Sequence, residues 1–239
     1  MEKRIDGRLP GELRDIRVTP GFMPNSGGSC LIEWGHTRVL VTANASFSVP
    51  SFLDGEKSGW LTAEYAMLPG STLGRKARER NRTDSRSVEI QRLIGRSLRS
   101  VLDFGAFAGI SVNIDADVIE ADGGTRTASI TGGFLAMSFL FRKLLREGKI
   151  AKNPVQSYLA AVSCGVVGGR PLLDLCYQED SHAEADMNFV GTEQGGVSEL
   201  QISGEKRPVT DEELASLISL CKAGVAELIA MEKKILEDA

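Results

Sequence analysis

Apolar and polar residues alternate through GGSCLIEWGHTRVLVTANASF (27–47), which predicts two strands joined by a tight turn at Gly35 and His36. A polar N-terminal arm precedes them, and a turn-rich stretch (50–58) follows. GWLTAEYAMLPGS (59–71) then reads as a short strand ended by Pro-Gly. The next fifteen residues, TLGRKARERNRTDSR, carry almost nothing apolar and read as a basic loop. From about Ser87 the period lengthens: Ile90, Leu93, Ile94, Ser97, Leu98, Val101 and Leu102 share one helical face, with Arg92, Arg96 and Arg99 on another. GISVNIDADVIEADG (109–123) returns to strict alternation, with Ile110, Val112, Ile114, Ala116 and Val118 on the apolar side. A long apolar helix is predicted over about 127–147, stopped by Gly148. At least three strands follow between 157 and 192, with a turn near Asp180 to His182, and an amphipathic helix closes the chain from Asp211.

Strands in runs with helices inserted singly predict a mixed α/β (α+β) fold rather than a doubly wound parallel sheet. Without repeats or linkers, one domain over 1–239 is expected. Neither GxGxxG nor GxxxxGK[ST] occurs, which removes the ordinary dinucleotide and P-loop readings.

Charge changes this picture locally more than globally. The chain has a net charge of −4 and a pI near 5.4, so the molecule as a whole is not drawn to nucleic acid or membranes. Residues 75–99, however, hold nine lysines and arginines against three acids. That excess suits a polynucleotide backbone, although an arginine stripe can equally be a solvated helix face. The start lacks a signal-peptide core and no later run approaches a membrane span, so a soluble, cytoplasmic protein without membrane association is expected. Cys30, Cys164, Cys176 and Cys221 show no paired spacing, and only His36 and His182 could assist in a zinc site. Reduced, mostly buried thiols are expected.

Three clusters carry chemistry. In IEADGGTRTASITG (119–132), an arginine stands where a helix presents unpaired N–H groups and the positive end of its dipole. A bound anion resolves that conflict: Gly123 and Gly124 allow close approach, Thr125, Thr127, Ser129 and Thr131 offer hydroxyls, and Arg126 can pair with two phosphate oxygens. An ordinary Gly-Gly turn with a surface arginine is the alternative. Arg86 repeats the oddity at the start of the basic helix, so both could converge on one anion. Finally, DLCYQEDSHAEADMN gathers Asp174, Glu179, Asp180, Glu184 and Asp186. Such carboxylates repel one another unless protonated or bridged by a cation such as Mg²⁺ or Mn²⁺, although acids also decorate exposed turns. Phosphate, a basic track and a hard-cation site together describe phosphoryl transfer on a polynucleotide.

GWLTAEYAMLP, EIQRLIGRSLR, DADVIEADGGTRTASITG and DLCYQEDSHAEADMNFV closely resemble the bacterial ribonuclease PH family, over essentially the whole chain. The resemblance implies a ribosomal protein S5 domain 2-like fold. It also implies a phosphate-dependent 3′→5′ exoribonuclease that trims tRNA precursors, releases nucleoside diphosphates, uses Mg²⁺ or Mn²⁺, and forms a homo-hexamer built as a trimer of dimers. It puts phosphate binding on Arg86, Gly124, Thr125 and Arg126, and catalysis with cation binding on Asp180 and Asp186. RNA contact falls on Arg75, Arg78 and Arg80, with Arg92, Arg96 and Arg99 added from the charge pattern. Where the family commonly has Gly-Arg-Thr, this chain has Ser85-Arg86-Ser87. A non-catalytic, RNA-binding ring subunit of an exosome-like assembly is the alternative, and loss of the arginines or the aspartates would mark it.

Overall fold

The computed structural model describes residues 4–78 and 84–238. Alternation builds a first sheet from β1 (Ile16–Pro20), β2 (Gly28–Trp34), β3 (Thr37–Ser46), β4 (Trp60–Met67) and β5 (Ser111–Glu120). Its strand order is β1-β2-β3-β5-β4. Gly35 and His36 form the β2–β3 turn as the pattern predicts, because the two strands pair antiparallel out to Trp34 and Thr37. Only β4 runs parallel to its neighbour, β5, and the connection between them carries α1 (Ser85–Arg99), which packs against β4. A second, wholly antiparallel sheet contains β6 (Leu159–Val167), β7 (Arg170–Leu173), β8 (Ala185–Thr192) and β9 (Val197–Gly204), in the order β7-β6-β8-β9.

Helix α2 (Thr125–Arg146) packs against β2 and β3 of the first sheet and β6 of the second, so one hydrophobic core runs through both sheets. Its sixteen buried positions surround nearly the whole helix. A one-sided stripe is therefore weak, and the helix is buried on most of its sides. This corrects the expectation that no run approaches a membrane span. Among the described residues, α2 and the final helix, α4 (Asp211–Asp238), are long and apolar enough to cross a membrane by length and composition. In the fold, α2 is instead the central core helix, and α4 covers β6, β7 and β8.

Three further elements differ from the sequence pattern. The supposed polar arm contributes β1 and two buried arginines, Arg4 and Arg14. The predicted turn near Asp180 is a short helix, α3 (Tyr177–Asp180), and β9 escapes notice because its residues are only partly buried. All four cysteines are free and buried.

Glu232 points from α4 into the core with no exposed surface, and neither carboxylate oxygen has a hydrogen-bond partner among the described residues. Burial raises its pKa well above the ordinary glutamate range. The unfolded chain releases this proton at a lower pH than the folded one, so folding loses stability as pH rises from the unfolded value toward the folded value. Glu232→Gln is expected to match the parent at acidic pH and to be about 2 kcal/mol more stable at neutral pH. Thermal melts across that pH range check this.

Candidate active site

The strand-to-helix turn after β5 is shaped by two left-handed glycines, Gly123 (φ 77°) and Gly124 (φ 66°). A Cβ at Gly123 would sit 2.5 Å from the Leu175 carbonyl oxygen, so glycine is required by close packing as well as by φ. Gly124 is the N-cap of α2 and offers no capping side chain, leaving the first N–H groups of the helix open to an external acceptor. The helix begins two residues earlier than the periodicity suggests, which makes Arg126 its second residue. Arg86 holds the same position in α1, behind the N-cap Asp84.

One cavity of about 830 Å³ joins these pieces, lined by Arg86, Gly124, Thr125, Arg126, Asp180 and Asp186 among others. The six residues singled out from sequence, drawn from both halves of the chain, thus face a common space. The hydroxyl expectation is met only in part. Thr127 and Ser129 donate to the carbonyls of Gly124 and Thr125, and Thr131 bonds Ala161 on β6, so all three serve the fold. Thr125 Oγ1 instead accepts from the Tyr65 hydroxyl at 3.0 Å, which leaves its own proton free for the cavity. Ser163 Oγ, 3.7 Å from where a Gly124 Cβ would lie, is buried without a partner among the described residues and also borders the cavity. Arg126 is steadied by Glu89 Oε1 at 3.3 Å and Gln201 Oε1 at 3.5 Å.

Of the five clustered acids, the fold turns three away. Asp174 pairs with Arg14, Glu179 with Arg4, and Glu184 with Arg207. Asp180, ending α3, and Asp186, on β8, open into the cavity. Burial raises the pKa of both. At Asp180, Arg86 and Arg126 oppose the rise, whereas Asp186 is pushed further up by Asp180 and Glu205. Glu205, just past β9, borders the same cavity, and no motif in the sequence points to it. Arginines thus line the same cavity as carboxylates that resist ionisation, a setting that favours both a phosphate and a cation.

The basic residues are distributed more widely. Arg75, Arg78 and Arg92 are exposed, and Arg80 lies outside the described residues. Arg96 pairs with Glu199 at 2.5 Å, while Arg99 stacks 5.0 Å above the Trp60 ring and donates to the Leu61 carbonyl. None of these described arginines borders the cavity, but Lys76 and Lys206 do.

Comparison with known proteins accounts for this arrangement. Family models described as "3' exoribonuclease family", domain 1 and domain 2, match residues 12–140 and 157–224. The chain is 48% identical to ribonuclease PH of Solibacter usitatus over 236 residues, covering 98% of this chain and 99% of the relative. It is 48% identical to ribonuclease PH of Neisseria meningitidis over 234 residues, covering 97% of each. Among solved structures, the Archaeoglobus fulgidus exosome with RNA bound to the active site superposes with a TM-score of 0.82 at 22% identity, covering 95% of this chain and 91% of that one. Rice Rrp46 does so with a TM-score of 0.79 at 18% identity, covering 98% and 100%. These two distant likenesses establish the fold, the S5 domain 2-like architecture that the motifs imply. With full-length relatives at 48% identity and both family models in order along it, the chain belongs to the 3′ exoribonuclease family as a ribonuclease PH, a phosphorolytic 3′→5′ exoribonuclease.

Proposed function

We propose that this chain trims the 3′ ends of tRNA precursors, using inorganic phosphate held by Arg86, Arg126, Thr125 and the N–H groups after Gly124. The observation that carries this reading is that two helix-start arginines and two aspartates line one cavity. Phosphate and the terminal phosphodiester are both anions, and their approach is opposed unless fixed positive charge offsets the repulsion. Arg126 and Arg86 supply that charge, and the rigid start of α2 orients the attacking oxygen in line with the bond to be broken. The products are a nucleoside diphosphate and an RNA shorter by one residue. One phosphate linkage replaces another, so excess nucleoside diphosphate drives the reverse addition.

Asp180 and Asp186 fit a divalent cation, Mg²⁺ or Mn²⁺, by their oxygen donors and by the mutual repulsion that a cation would relieve. Among the described residues no group of three or more His, Cys, Asp or Glu converges as ligands, so water and substrate oxygens would complete the shell. When bound, the cation supplies charge neutralisation at the departing 3′ oxygen. We assign RNA contact to Arg75, Arg78, Arg80 and Arg92, with Arg96 and Arg99 bracing α1 through Glu199 and Trp60. The proposal includes a cytoplasmic homo-hexamer, a trimer of dimers.

The test uses a tRNA with a short 3′ extension and Mg²⁺, with and without phosphate. Nucleoside diphosphates released only with phosphate are the expected result. Monophosphates independent of phosphate, or no release, would overturn the proposal. Sedimentation velocity checks the hexamer.

A further inference from the structure

The N-terminal arm holds two arginines for which the reaction scheme has no use. Their side chains are nearly sealed from solvent, 1% exposed for Arg4 and 6% for Arg14. A buried guanidinium destabilises the fold unless its N–H groups find acceptors, and here the acceptors come from the turn before α2 and from the segment 173–179. Arg14 Nη1 donates to the Asp122 carbonyl at 2.5 Å, and Nη2 lies 3.5 Å from that of Gly123. These are the carbonyls of the turn that opens α2. The same guanidinium grips the Asp174 carboxylate through Nε at 3.0 Å and Nη2 at 2.7 Å, and that carboxylate also accepts from Trp34 Nε1 at 2.9 Å.

Arg4 continues along the segment that begins at Asp174. It donates to the Leu173 carbonyl at 2.6 Å, the Asp174 carbonyl at 2.9 Å and Glu179 Oε1 at 2.8 Å. Glu179 is the residue immediately before Asp180. Asp174 itself has φ 54°, the one positive φ outside glycine among the described residues. Such a conformation persists where surrounding contacts over-determine it. Thr37 completes the clamp, donating to the Gly123 carbonyl at 2.6 Å while accepting from the Asp122 N–H at 2.9 Å.

We propose that Arg14 and Arg4 are positioning residues, and that the N-terminal arm is a strap fixing the phosphate-binding turn in register with the segment bearing Asp180. This rests on the phosphorolytic reading above. Neither arginine touches the reacting atoms. Arg14 acts through the orientation of the first α2 N–H groups, Arg4 through the placement of Asp180. In-line attack tolerates little misplacement, so loosening the turn weakens phosphate capture before it weakens RNA capture.

The test measures kcat, the KM for phosphate, the KM for RNA and the thermal midpoint in Arg14→Gln and Thr37→Val. Arg14→Gln is expected to raise the KM for phosphate by about tenfold or more and to lower kcat, with the KM for RNA unchanged. Guanidinium ion at non-denaturing concentration should restore part of the loss. Thr37→Val removes two hydrogen bonds to the turn at nearly constant volume and should raise the KM for phosphate several-fold. If Arg14→Gln does not fold, Thr37→Val decides. A folded variant with reduced stability but an unchanged KM for phosphate would overturn the proposal. An unsubstituted protein that fails to phosphorolyse RNA would instead overturn the underlying reading.

Discussion

Asp180→Asn and Asp186→Asn are each expected to lower kcat by about 10³-fold or more while leaving the protein folded. Asparagine keeps the shape of aspartate and an oxygen acceptor but removes the charge. Among the described residues, no arginine or lysine forms an ion pair with either carboxylate. Their surroundings already press both toward neutrality, by burial and, at Asp186, by the neighbouring acids. Removing a charge that the fold resists should leave the thermal midpoint unchanged or higher. A charge that costs folding stability and has no structural partner is best explained by something it must hold during turnover. Single-turnover rates with saturating phosphate, alongside thermal melts, check this. Parent-like turnover in both variants would remove the aspartates from the mechanism.

The second large effect is expected at Arg126. Arg126→Ala should reduce kcat/KM for phosphate by about 10²-fold, the scale of losing a bidentate, charge-assisted contact in a partly desolvated site. Its present partners, Glu89 and Gln201, lie at 3.3 and 3.5 Å, long enough to yield the guanidinium to a stronger acceptor. Arg126→Lys should recover only part of the loss, because an ammonium keeps the charge but not the planar fork. The KM for RNA should change little in either variant. Initial rates over a phosphate titration distinguish this from a general loss of active protein, which would lower kcat alone.

The site was legible where its chemistry is written in short contiguous stretches. Gly123 to Arg126 and Asp180 to Asp186 each place an unusual charge on a local element, so helix dipole and carboxylate repulsion could be weighed without tertiary knowledge. Long-range partners were not legible. Arg4 and Arg14 belong to a stretch that reads only as a polar arm, because the acids that neutralise them lie far along the chain. Glu205 lies beyond a partly buried strand and gave no local sign. The roles of Thr127 and Thr131 depended on which carbonyls the fold brings near them, and periodicity does not carry that information. The start of α2 shifted because a left-handed glycine, rather than a hydroxyl side chain, caps it.

The arm closes over a very long stretch of chain: Arg4 meets Glu179 across 175 residues, and Arg14 meets Asp174 across 160. Contacts so distant in sequence form late, after the intervening strands and helices have drawn their ends together. During synthesis the amino end must wait for the ribosome to deliver the segment it will bind, so a chain that stops short of Asp174 leaves Arg14 without its carboxylate partner. The strap is thereby absent from the nascent polypeptide and closes no earlier than the translation of Glu179.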